Sequence, residues 1–137
     1  MDTKSVNLED FLPETEKDID EMFSGAVEIL GKVKKEKLRA LIEEFIKDEE
    51  LMRMFRKAPA AMVCHHGYLG GLLEHTCSIL QVAESILPLY PKVQADMVLT
   101  GVFLHDIGKT IELSYNIGFG YTDSGQLLGH LVQSVIM

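Results

Sequence analysis

The sequence has no tryptophan, two cysteines, four prolines, and fewer basic than acidic residues, 13 against 21. Cys64 and Cys77 are too few for a disulfide framework and neither sits in a CxxC pair, so both read as reduced core or near-core thiols. No apolar run approaches the ~20 residues that span a bilayer. The opening "MDTKSVNLEDFLPETEKDID" also lacks the basic-then-apolar order of a signal peptide, so no membrane partner is expected and the cytoplasm is the expected location. A net charge of −8 argues against a general nucleic-acid coat, because such binding replaces counterions with Lys and Arg. It leaves room for a small phosphate site. Lys92 and Lys109 are the only Lys or Arg after residue 57, and Lys109 stands beside the one His-Asp pair.

What is present is helical pattern. With 137 residues and 47% hydrophobic content the chain has material for the core of one domain. "PETEKDIDEMFSGAVEIL" begins with a proline and acids that suit a helix N-terminus, "KEKLRALIEEFIKD" carries apolar residues at helical spacing, and "EELMRMFRK" ends before Pro59. In "YLGGLLEHTCSILQVAESIL" residues Leu69, Leu72, Leu73, Thr76, Ile79, Leu80, Ala83 and Leu87 share a stripe, with His75 at its edge. "KVQADMVLTGVFLHDIGK" is apolar almost all round over 97–104 and is predicted to be a central buried helix. A buried strand is the competing reading, disfavoured by the segment's length and by the proline at its first turn. "YNIGFGYTDSG" reads as a small hairpin or irregular loop, and Asp123 as the N-cap of a last helix, "SGQLLGHLVQSVIM".

The chemistry concentrates in "GVFLHDIGKT". An unpartnered carboxylate in a core is costly, so a buried acid needs a counterpart, and a metal ion is the leading candidate. Neighbours on a helix diverge by about 100°, but near a helix end His105 and Asp106 can still converge on one ion. A third ligand must come from another helix, and His75 is the natural supplier if the two helices pack antiparallel across "PLYP". Alone, His75 reads as a hydrogen-bonded packing residue; with "HDIGK" the ligand reading prevails. A set mixing His and carboxylate suits Mn, Fe, Zn, Ni or Mg.

"HDIGK" with the upstream "LLEHT" resembles the signature of the HD superfamily of metal-dependent phosphohydrolases. The ordered strings "APAAMVCHHGYLGGLLEHT", "FLHDIGKTIELS" and "YTDSGQLLGH" are similar to the HD domain of YhaM-type 3′-5′ exoribonucleases, from about Phe11 onward. The resemblance implies an all-α HD-domain helical bundle over 13–137, with 1–12 as a lead-in. It implies a divalent cofactor, Mn2+ first, and His75, His105 and Asp106 as ligands of the primary ion. It puts His130 at a second ion, Asp106 and Lys109 in catalysis, and His65, His66 and Lys109 on the substrate phosphate. Taken alone, His130 could be a packing residue, Lys109 a solvated lysine at a helix C-terminus, and "HHG" a turn cap. Tyr68 and Tyr121 could stack on a base, though each reads first as structural.

The HD pattern closes with a later Asp, and this sequence has none after Asp123, so a C-terminally incomplete domain is expected. Its last helix would then expose Val132, Val135 and Ile136 or bury them in a homo-oligomer. The implied function is a phosphodiesterase acting on single-stranded RNA 3′ ends. A nucleotide phosphohydrolase and a non-catalytic regulatory module are the alternatives.

Overall fold

Asp18 decides where the first helix begins. In the computed structural model, which describes residues 12–62, 66–115 and 119–137, its side chain accepts from the Glu21 N–H and caps α1 (Ile19–Leu30). The start predicted at Pro13 is therefore early by a turn and more. Pro13 and Thr15 are extended instead and exchange backbone hydrogen bonds with Leu69, Leu69 N–H to Pro13 O at 2.8 Å and Thr15 N–H to Leu69 O at 2.9 Å. A backbone committed to that bridge cannot wind into a helix. The segment is locked further by Glu74, which accepts from Thr15 Oγ1 at 2.6 Å and Tyr68 Oη at 2.9 Å and pairs with Lys17 at 2.9 Å. Burial alone would raise the Glu74 carboxyl, but these donors outweigh it and bring its pKa down to about 2.

α2 (Glu36–Lys47) and α3 (Glu49–Lys57) share Asp48, which ends the first and caps the second through the Leu51 N–H. α4 (Gly71–Ile86) is the central helix. Leu72, Leu73 and Leu80 are fully buried on the predicted stripe, and α1, α3 and α5 (Ala95–Leu104) pack around it. Helices predominate and the described sheet is one two-residue pair, so the chain is an all-α bundle. No helix among the described residues is long and apolar enough to cross a membrane.

α5 corrects a second expectation. It buries Leu99, Thr100 and Phe103, while Met97 and Gly101 are exposed, so it is one-sided rather than enclosed. Its packed face is well tied: Phe103 meets Phe55 and Phe45 edge-on, at centroid distances of 5.9 and 6.4 Å. At its start, Asp96 accepts from the Lys34 and Lys35 N–H groups at 3.1 and 2.7 Å. Both ends of α5 are thus fixed against neighbours, which aims its last residue at α4.

Beyond α5 the chain makes a tight turn into α6 (Lys109–Glu112), then a hairpin of β1 (Leu113–Ser114) and β2 (Gly120–Tyr121) whose tip, 116–118, lies outside the described residues. The last helix, α7 (Asp123–Ile136), is capped by Thr122, whose hydroxyl accepts from the Gly125 N–H; Asp123 is in its first turn rather than at the cap. Leu127, Leu131, Val135 and Ile136 are exposed along α7, as are Leu128 and Val132.

Candidate metal centre

The end of α5 is what lets His105 and Asp106 converge. His105 is the C-cap, and the chain then passes through three-residue turns, Ile107 N–H to Leu104 O and Lys109 N–H to Asp106 O, instead of continuing as an α-helix. The tighter turn rotates Asp106 inward, and it is buried with its side chain 10% exposed.

Asp106 is the hub on which four side chains converge. Its Oδ2 lies 3.5 Å from His75 Nε2, 3.3 Å from His105 Nε2 and 2.8 Å from Lys109 Nζ. Its Oδ1 lies 3.5 Å from His130 Nε2. Burial alone would raise the Asp106 carboxyl, but the His105 ring, once protonated, and the Lys109 ammonium hold it well below the usual carboxylate range. The neighbouring bond to Asp106 raises the His105 pKa, whereas burial lowers that of His75.

His75, His105 and Asp106 each offer one ligand atom within 4.8 Å of the others, and the three could hold a metal ion. The donor set fits a cation. Val102 O lies 2.7 Å from His105 Nδ1, so Nδ1 carries the proton that this carbonyl accepts, and in the neutral ring the Nε2 lone pair then faces Asp106 Oδ2. Two acceptors facing each other ask for a proton or a cation between them. His130 belongs to the same cluster from the far side of Asp106.

His66 extends the row of imidazoles. Its ring centroid is 5.5 Å from that of His75 and 5.9 Å from Tyr68, and its Nδ1 is buried without a partner among the described residues. It also holds a positive φ of 62°, an uncommon conformation for a residue with a Cβ. His65 lies outside the described residues, as does Cys64. Tyr68 is taken up by Glu74, whereas Tyr121 is half exposed on a groove of about 400 Å³ that runs past Met62, Leu113, Lys109 and His130. A larger groove, about 670 Å³, lies away from this cluster between α1 and α4; Asp18, Glu21, Glu28 and Glu74 line it and would repel a phosphate.

Two features escaped the sequence reading. Gly129 breaks α7 with φ 70° and ψ 160°, a conformation essentially restricted to glycine, where the apolar register predicted one continuous helix. Glu112 is buried on α6 and accepts from His130, at 3.1 Å from its backbone N and 3.0 Å from Nδ1. The signal was present: an acid inside "TIEL" invites the same question that Asp106 does.

α7 reaches the cluster because Gly108 lets it approach. The Gly108 N–H donates to Ser134 Oγ at 2.9 Å, and a Cβ at 108 would stand 2.2 Å from His130 O and 2.8 Å from Ser134 N. Both obstacles are tied to the helix backbone and cannot swing aside. Gly108→Ala is expected to push α7 away from Asp106 and to cost roughly 1–3 kcal/mol, the usual range for overpacking. Urea denaturation checks it, and unchanged stability would mean that this close approach is not kept in solution.

Comparison with known proteins finds relatives of this chain. The chain is 37% identical over 131 residues to the 3′-5′ exoribonuclease YhaM of Listeria monocytogenes, covering 96% of this chain and 38% of that protein. It is 34% identical over 128 residues to YhaM of Bacillus subtilis, covering 93% of this chain and 40% of that protein. The chain is a homologue of the YhaM exoribonucleases. A third relative, YhaM of Oceanobacillus iheyensis, is 34% identical over 133 residues, 96% of this chain and 41% of that protein. The chain therefore spans about two fifths of the length of these YhaM relatives. No protein-family model matches it, and no solved structure matches it at a significant level.

Proposed function

We propose that the chain is an HD-superfamily metal-dependent phosphohydrolase domain that acts as a phosphodiesterase on the 3′ ends of single-stranded RNA. The observation that carries this reading is the convergence of His75 from α4 with His105 and Asp106 from the end of α5, in a chain homologous to proteins named for that activity. His75, His105 and Asp106 hold the primary ion, with Mn2+ the leading choice and Fe, Ni, Zn or Mg as alternatives, and His130 serves a second. A divalent ion held there would supply Lewis acidity toward a phosphate oxygen and would lower the pKa of a bound water toward neutrality.

The chain's own groups then act as follows. Asp106 orients the ligand set by presenting both oxygens. Lys109 offers the cation that meets charge developing on the phosphate. His66, whose ring lies beside His75 at the end of the row of imidazoles, meets the substrate phosphate. Tyr121, exposed on the groove beside Lys109 and His130, offers a face on which a terminal base can stack.

The test uses the protein loaded with Mn2+ and three substrates: a linear 5′-labelled RNA, the same RNA closed into a circle, and free nucleoside triphosphates. Stepwise shortening of the linear RNA alone, abolished by a chelator, is the expected result. Hydrolysis of nucleotides alone would make this a nucleotide phosphohydrolase, and metal binding with no turnover of any substrate would favour a regulatory module.

A further inference from the structure

Glu112 has no part in the roles given above, yet it is a carboxylate held in the interior with both oxygens turned on one residue. Its Oε1 lies 3.1 Å from His130 N and 3.2 Å from His130 Nδ1, and its Oε2 lies 3.0 Å from Nδ1. The Gly129 break makes this possible. In an uninterrupted helix the His130 N–H would be spent on a carbonyl one turn back, whereas the break frees it to point at Glu112. Glu112 is itself fixed, since its carbonyl accepts from Thr122 N–H at 2.9 Å and a Cβ on Gly125 would come within 2.3 Å of that oxygen.

An ionised carboxylate only accepts hydrogen bonds, so the Nδ1 that it faces must carry the proton. In the neutral ring Nε2 is then a lone pair, and it is aimed at Asp106 Oδ1, 3.5 Å away. We propose that Glu112 is a positioning residue that fixes His130 as its Nδ1–H tautomer, so that the Nε2 lone pair and Asp106 Oδ1 form a cation-binding edge separate from the one shared by His75 and His105. The inference deepens the reading of His130 as a ligand and rests on it for the cation, but not for the tautomer. A carboxylate behind a ligating imidazole orients the ring and raises its basicity, and loss of such a partner commonly costs 10–100-fold in metal affinity.

The experiment is 15N NMR of the histidine rings in the metal-free protein at pH 8, for the wild type and for Glu112→Gln, followed by Mn2+ titration of both. Glutamine keeps the volume but has one acceptor. Its oxygen stays with the His130 backbone N–H, since the flipped amide would set two donors against each other, so its NH2 turns to Nδ1 and the ring proton moves to Nε2. The wild type is expected to show the Nδ1–H tautomer and the variant the Nε2–H tautomer, with one class of Mn2+ site weakened about 10–100-fold. A wild-type His130 carrying its proton on Nε2, or on both nitrogens, overturns the proposal, as does a tautomer that Glu112→Gln leaves unchanged. A tautomer switch with undiminished Mn2+ binding removes His130 from the ligand set and with it the second cation edge, while the primary site is judged by the RNA assay.

Discussion

Asp106→Asn is expected to abolish metal-induced stabilisation of the protein and with it all hydrolysis. A ligand present at a hundredfold excess over its Kd stabilises the folded state by about 2.7 kcal/mol, which thermal unfolding reads as a shift that needs no substrate. The wild type should show this shift with Mn2+ and the variant should not, because the amide lacks the charge on which His75, His105, Lys109 and His130 converge. The metal-free variant is also expected to be weaker than the metal-free wild type, by roughly 1–3 kcal/mol, since Lys109 loses an ionised partner in a site only partly open to water. This second effect depends on pH with a definite sign. The folded pKa of Asp106 is depressed below its ordinary 3.8, so its contribution is fully present above that value and is lost as the pH falls below it. The two proteins should therefore converge in stability in acid. A wild-type Mn2+ shift in Asp106→Asn would exclude the proposed centre.

The convergence of His75, His105 and Asp106 could be read from the sequence because it depends on local facts: an apolar run, an ionisable pair where that run stops, and a short "PLYP" link that returns the chain antiparallel. Packing against α4 does bring the two imidazoles together, at a centroid distance of 5.5 Å. What stayed hidden depends on partners distant in sequence. The residues before Asp18 are kept out of α1 by Leu69, more than a helix away, whose hydrogen bonds hold Pro13 and Thr15 extended. The one-sided burial of α5 could not be seen in a run that is apolar all round, because composition does not reveal which faces neighbours reach. The break at Gly129 was masked by apolar residues on either side of it that keep helical register, and the acceptor that the break opens to the His130 N–H is Glu112, 17 positions before Gly129. His130 illustrates the same limit: the family resemblance placed it at a second ion, but the carboxylate that orients it emerged only from the packing of α6 on α7.

Lys109→Ala is expected to slow turnover about 100-fold or more while leaving Mn2+ affinity unchanged or improved. The two effects part because of where the ammonium sits. Without an ion it lies 2.8 Å from Asp106 Oδ2, the same oxygen that His75 and His105 approach. A cation bound there would meet a like charge at close range, and two unit charges 4 Å apart at an effective dielectric of ~20 repel by about 4 kcal/mol. Lys109 must therefore swing off Asp106 when the ion binds, and its flexible four-carbon stem permits that. Removing it removes a competitor for the site, so metal affinity should not fall. In the loaded protein the displaced ammonium is free to meet the phosphate, where a preorganised charge is commonly worth 10²-fold or more in rate. Single-turnover rates on linear RNA together with Mn2+ titration of both proteins check the split. A loss of affinity that accounts for the whole loss of rate would make Lys109 a support for Asp106 instead, and equal rates would leave it with neither role.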